Sequence, residues 1–192
     1  MEPQTGGIVP SFPNYMTGLH MTKISILKVV ESTTVDGPGL RTSIYCAGCA
    51  NMCPGCHNPQ SWDIESGRLT DIEELLDKVK QEDFCNVTFS GGDPMMQPLA
   101  FAELAIRIHA ETNKNIWCYT GYTYEQVLAD PIKKVLLEQV DVLVDGRFIK
   151  ALRDENLLFR GSSNQRIIDV KKSLQTGQVT ILHPELSLKV VL

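Results

Sequence analysis

The sequence predicts an α/β domain of parallel β/α units, arranged as a partial (β/α) barrel. Three observations carry this. Apolar, β-branched runs alternate with stretches of helical periodicity along 192 residues, the order expected of parallel strands joined by helical crossovers. Loops at Cys49, Gly91 and Gly121 each follow a strand-like run, and such a fold gathers those loops at the C-terminal edge of its sheet, where ligands bind. The roughly five or six legible strands fall short of an eight-unit barrel of about 250 residues. The arc is therefore expected to be incomplete, within a single compact domain.

The elements follow in order. Residues 1–20, MEPQTGGIVPSFPNYMTGLH, have neither a basic start nor an apolar block. They read as a disordered leader rather than a signal peptide, with the domain expected over residues 21–192. KISILKVV (Lys23–Val30) and RTSIYC (Arg41–Cys46) have strand character, separated by the turn-rich Asp36–Gly39. Residues 47–60 carry Gly and Pro without periodicity and read as a loop. Thr70-x-x-Glu73 has the form of a capping box, and behind it Ile72, Leu75, Leu76 and Val79 share one helical face. CNVTFSGG (Cys85–Gly92) reads as a strand ending in a glycine turn. A helix over 98–111, a strand over 115–120 and a helical stretch over 123–139 come next. Pro131 should break that last stretch, since proline lacks an N–H and clashes with the preceding turn. DVLVDGRF (Asp141–Phe148) and RIIDV (Arg166–Val170) read as strands, with a further strand possible near Leu188–Leu192.

Composition narrows the function. Net charge is −5, from 18 Lys+Arg against 23 Asp+Glu, which lacks the basic footprint of a nucleic-acid binder. No apolar run approaches the roughly 18 residues that span a bilayer. A cytoplasmic address is the expectation, and there disulfides are rare. The six cysteines therefore need another use. Four of them fall at 46, 49, 53 and 56, in Y-C-A-G-C-A-N-M-C-P-G-C-H-N. Soft thiolates so close together read as ligands of zinc or of an iron–sulfur cluster. A zinc site usually separates its two C-x2-C pairs by a longer loop. A closed ferredoxin-type cluster fits the spacing better but leaves most of the α/β chain without a purpose. A third reading takes Cys49, Cys53 and Cys56 alone, which leaves one iron of a [4Fe-4S] cube open. The amino and carboxylate groups of S-adenosylmethionine (SAM) can chelate that iron.

C-x3-C-x2-C after an early strand resembles the signature of the radical SAM superfamily. TTVDGPGLR (Thr33–Arg41) ahead of it and CHN behind it resemble the glycyl-radical-enzyme activating enzymes. SGGDP (Ser90–Pro94), TGY (Thr120–Tyr122), LVDGRF (Leu143–Phe148) and RGSSNQ (Arg160–Gln165) are similar to one branch, which activates anaerobic ribonucleoside-triphosphate reductase. The resemblance spans about residues 33–166. It implies a partial barrel of the radical SAM type, with a [4Fe-4S] cluster held by Cys49, Cys53 and Cys56 and SAM as second cofactor. It also implies an electron donor such as flavodoxin or a thiol reductant system. The protein partner would be the large glycyl-radical subunit of anaerobic ribonucleotide reductase.

Further roles follow from the resemblance. The Gly91–Gly92 turn receives the methionine amino group of SAM, with Gly92 at the contacting position, although glycines there also make an ordinary tight turn. Asp93 stands where many wider relatives have Glu. Gly55, Cys56 and His57 lie beside the bound SAM, His57 on its adenine side. Asp145 either lines the SAM site from its strand end, or caps the following turn or pairs with Arg147. Cys46, where relatives commonly carry an apolar residue, is expected to be a spare strand thiol and not a fourth ligand. Cys85 and Cys118 fall in strand patterns as core thiols. Asp36–Gly39 is a turn whose backbone could help receive the partner's radical loop. His20, His109 and His183 carry no signal. Two alternatives stay open: an activase of another glycyl-radical enzyme such as pyruvate formate-lyase, and a non-catalytic iron–sulfur electron carrier.

Overall fold

A computed structural model describes residues 22–183. The expected leader, His20 and the possible strand near Leu188–Leu192 lie outside these residues. Eight strands form one sheet in the order β3-β1-β2-β4-β5-β6-β7-β8. They are β1 (Lys23–Thr33), β2 (Arg41–Cys46), β3 (Arg68–Asp71), β4 (Asn86–Gly91), β5 (Ile116–Tyr119), β6 (Val142–Asp145), β7 (Arg166–Asp169) and β8 (Thr180–Ile181). The helices are α1 (Ile72–Gln81), α2 (Pro98–Glu111), α3 (Tyr124–Ala129), α4 (Pro131–Leu137) and α5 (Val170–Thr176).

Parallel pairing is confined to the centre, β2–β4, β4–β5 and β5–β6. Both flanks are antiparallel, so the all-parallel expectation is corrected to a mixed sheet. The reason is the connections. A parallel pair needs a long crossover, which α1, α2 and the α3–α4 pair supply. β1 and β2 are joined by a short loop over residues 34–40, and β6 and β7 by a loop whose one regular element is a 3-10 turn at Lys150–Leu152. The first is too short for a crossover, and the second, residues 146–165, goes instead into lining the cavity and an Arg153–Ser162 bridge. Among the described residues the pairing order ends at β3 and β8, so the hydrogen-bonded sheet is open.

Register separates two faces. Ile44, Phe89, Cys118, Leu143 and Ile168 stand side by side across five strands, all fully buried. They form one core with Leu75, Phe101, Leu104, Ile108 and Leu136 of the helices, including a Phe89–Phe101 ring contact at 4.9 Å. Alternate residues point the other way, as the two-residue period of a strand requires. There Trp117, Val142, Val144 and Ile167 make a smaller cluster with Tyr119 and Phe159.

Two local expectations change and one holds. Thr70 does not cap α1: it pairs with Ile24 in the β1–β3 ladder, and its hydroxyl donates to the Arg68 carbonyl at 3.1 Å. Asp71 occupies the N-cap position without a side-chain cap bond. The capping box in this chain is at Thr123 and Gln126, where each side chain accepts from the other's amide, at 3.3 and 2.9 Å. Pro131 does break the helical stretch, and it begins α4, with Asp130 accepting from the amides of Ile132 and Lys133. The strand expected over Asp141–Phe148 stops at Asp145, because Gly146 turns the chain at φ 96°.

Candidate cluster and ligand site

The parallel strands β2, β4, β5 and β6 end on one edge, and the loops that leave them surround a cavity of about 390 Å³. Cys49, Cys53, Cys56 and His57 line it from the loop after β2. Gly91, Gly92 and Asp93 line it after β4, Thr120 and Gly121 after β5, and Gly146 and Phe148 after β6. The structure thus brings together motifs separated by a hundred residues of chain.

The cysteine loop is held by backbone bonds at its base. Gly48 and Cys49 donate to the carbonyls of Ser61 and Trp62 at 2.8 and 3.0 Å. Cys56 donates to the Cys53 carbonyl at 3.0 Å, and Asn58 N–H points at the Cys56 sulfur at 3.3 Å. Burial raises the Cys49 thiol above its ordinary value, against the backbone N–H groups of Asn51 and Met52, which favour thiolate. All three cysteines are free thiols. Cys46 is different. It sits fully buried in the core beneath the helices and outside the cavity lining, and burial pushes its thiol up. Cys85 and Cys118 are likewise buried.

Among the described residues no set of three or more His, Cys, Asp or Glu converges as a site for a single ion. A [4Fe-4S] cube makes a different demand, since each thiolate binds its own iron and the sulfurs need not meet at one point. Three soft donors on one Gly/Pro loop, facing a common cavity that Cys46 does not reach, fit such a cube with one corner free.

The glycine turn is built on close approach. Gly92 donates to the Cys46 carbonyl at 2.7 Å, and Asp93 N–H donates to the Gly48 carbonyl at 2.8 Å. A Cβ at Gly92 would collide with the carbonyl of Gly48. The missing side chain is therefore required first by the cysteine loop itself, and not only by a ligand. Asp93 is fully buried, and desolvation raises its carboxyl to about 6.

Other expected residues are distributed unevenly. His57 stands in the lining with its ring tilted toward Phe148, centroids 6.1 Å apart. Gly55 lies outside the lining; its φ of 80° lets the loop turn, and the Lys150 and Phe148 side chains stand next to it. Asp145 also lies outside the lining. Its carboxylate accepts from Arg166 Nε at 3.0 Å and from the Tyr124 amide at 2.7 Å. It therefore pairs with Arg166 and accepts from the first amide of α3, which corrects the Arg147 pairing. Arg147 instead donates to the Asn51 carbonyl.

The Asp36–Gly39 turn packs onto the face away from the helices. Asp36 accepts from the Tyr45 hydroxyl and lines the cavity. Below it Arg41 is 1% exposed, donates to Thr88 and to the Val87 carbonyl, each at 2.6 Å, and stacks on Trp117 at 5.3 Å. Burial lowers its guanidinium to about 10. Sequence reading did not single out Asn51, Phe148, Phe159 or Arg160, all of which line the cavity. The last three lie in or beside LVDGRF and RGSSNQ, so a signal was present without a role; Asn51 offered none beyond lying between two cysteines.

Comparison with known proteins agrees with this geometry. Residues 35–168 match the family described as a 4Fe-4S single cluster domain. The chain is 39% identical to the anaerobic ribonucleoside-triphosphate reductase-activating protein of Salmonella typhi over 140 residues, 68% of this chain and 89% of that one. It is 38% identical to the protein of the same name from Escherichia coli K12 over 142 residues, with the same coverage of each chain. The Haemophilus influenzae protein of that name is 34% identical over 156 residues, 75% of this chain and 97% of its own. Identity and coverage of this extent, with a family match that includes the cysteine loop and the strand-end loops around the cavity, show that the chain belongs to the family of anaerobic ribonucleoside-triphosphate reductase-activating proteins.

Proposed function

We propose that this chain is a radical SAM activase that generates a glycyl radical on the large subunit of anaerobic ribonucleotide reductase. One observation carries the reading: the cavity that takes the three thiols of C-x3-C-x2-C also takes the Gly91–Gly92 turn and the ends of β5 and β6. Cys49, Cys53 and Cys56 would hold the [4Fe-4S] cluster. SAM would lie against the backbone of Gly91–Gly92, with His57 beside it. When bound, the reduced cluster would supply one electron for reductive cleavage of SAM, and SAM would supply the species that takes a hydrogen atom from a partner glycine.

The chain's own residues bind, orient and shield. Asn58 N–H points at the Cys56 sulfur and would donate to it as a cluster ligand. Phe148, Phe159 and Leu157 wall the cavity and limit water around a reactive intermediate. The buried Arg41 holds the Asp36–Gly39 turn at the cavity's side through Thr88 and the Pro38 carbonyl. The relatives' name supports the reductase as partner. The mixed sheet, with its parallel centre and ligand loops on one edge, is compatible with a partial barrel of the radical SAM type. Among the described residues no helix is long and apolar enough to cross a membrane. A cytoplasmic setting and a flavodoxin or thiol electron donor complete the proposal.

Anaerobic reconstitution with iron and sulfide, then reductive SAM cleavage, tests it. A glycine-centred EPR signal should appear on the reductase, dependent on SAM and reductant. SAM cleavage without that signal, together with activation of pyruvate formate-lyase, would overturn the partner assignment. A reduced cluster that never cleaves SAM would leave an electron carrier.

A further inference from the structure

Asn51 and Asp93 meet at the centre of the strand-end loops, and the reading above gives neither a role. Asp93 is 0% exposed. Its Oδ1 accepts from the Met95 amide at 3.0 Å. Its Oδ2 accepts from Asn51 Nδ2 at 3.0 Å, Thr120 Oγ1 at 3.1 Å and the Gly121 amide at 3.0 Å. Each carboxylate oxygen offers about two lone-pair positions, so Oδ2, with three donors of its own chain, has none left, while Oδ1 keeps one. Asp93 borders the cavity but exposes no surface to it, so a ligand's ammonium would have to open this network to reach the carboxylate.

Asn51 lies between Cys49 and Cys53. Its side chain rests on Gly121 so closely that a Cβ there would collide with the amide, and its carbonyl accepts from Arg147. One residue of the cysteine loop is thereby tied to the turns after β4, β5 and β6 together.

We propose that Asn51 and Asp93 form a clasp of positioning residues. It fixes the cysteine loop against the glycine turn and the β5 loop, and Asp93 acts through Asn51 without touching a ligand in the cavity. The inference rests on the SAM and cluster reading for its consequence, but not for its geometry.

The test compares Asn51→Ala, Asp93→Asn and the double variant with the native chain. The reduced, reconstituted proteins are titrated with SAM and followed by the change in the cluster's EPR spectrum. Asn51→Ala loses one hydrogen bond to a charged group, and Asp93→Asn loses the charge that strengthens it, so each single variant should weaken the apparent SAM affinity about tenfold. The double variant should be no worse than about twofold beyond the weaker single, as expected of residues acting as a unit. Amide hydrogen exchange over residues 47–56 of the cluster-free chain should quicken in both singles. If Asp93→Asn weakens SAM binding while Asn51→Ala does not, the carboxylate contacts the ligand and the clasp is overturned. Unchanged binding and exchange in both singles overturn it as well. Should Asp93→Asn fail to fold, Asn51→Ala, at a half-buried loop position, carries the test. A native protein whose cluster spectrum ignores SAM counts against the functional reading alone; exchange over 47–56 and the rate of iron loss then decide the clasp.

Discussion

The cysteines of this chain divide between two regions that treat the same side chain in opposite ways. Cys49, Cys53 and Cys56 stand on an irregular loop and face a cavity. Cys46 ends β2, Cys118 lies within β5, and both point into the helix-covered core. Only a few residues separate Cys46 from Cys49, yet one is a hydrophobe and the other a candidate ligand. Cysteine chemistry is set by what surrounds the sulfur: Cys46 and Cys118 are sealed in the core, where burial raises the thiol, while Cys49, Cys53 and Cys56 border a cavity and backbone N–H groups offset part of the burial of Cys49. The contrast supports the proposal that three of the four clustered thiols, and not Cys46, hold the cluster.

The largest effect should come from the loop. Cys49→Ala, Cys53→Ala and Cys56→Ala should each abolish stable cluster binding, read as iron content and EPR after reconstitution, with the cluster-free fold little changed by circular dichroism. Retention of a full cluster in any one of them would falsify the three-ligand assignment.

Cutting into the core should reverse that pattern. Phe89→Ala removes a fully buried ring packed on Phe101, and deletions of this kind cost about 3–5 kcal/mol. Denaturant unfolding should report that loss, while any protein that remains folded still assembles its cluster.

Gly92→Val joins the two regions. Its side chain would strike the Gly48 carbonyl at the base of the cysteine loop, so cluster content should fall along with SAM affinity. A variant that loses SAM binding with its cluster intact would show that the loop can yield, and that the glycine serves the ligand alone.

Cys46→Ala should be milder, about 1–2 kcal/mol of stability for a small buried cavity, with the cluster retained. Loss of iron in this variant would restore a four-thiolate site.

The smallest effect lies at the surface. Arg166 holds the Glu125 carboxyl down to about 2 from its ordinary 4.5. A depressed carboxyl adds stability above the unfolded value, and that contribution is lost as pH falls through about 2. Because Glu125 is exposed, Glu125→Gln should cost about 1 kcal/mol or less at neutral pH. The difference from the native chain should shrink below pH 4.5, as acid unfolding curves would show.

The sequence by itself determined the cysteine spacing, the alternation of strand and helix through the centre of the chain, the helix break at Pro131 and the gathering of Cys49, Gly91 and Gly121 on one edge. These are local patterns, or consequences of a period of two or 3.6 residues, and they survive without knowledge of distant neighbours. Only the tertiary structure decided the rest. Thr70 became a strand residue because Ile24 offered it a ladder partner. Asp145 turned from the cavity because Arg166, on the neighbouring antiparallel strand, lay within reach of it. Asn51 gained its partner from Asp93, 42 residues away. Each of these depends on which strands lie next to one another. That follows from the lengths of the connections and the burial of whole faces, and no short window of sequence contains it.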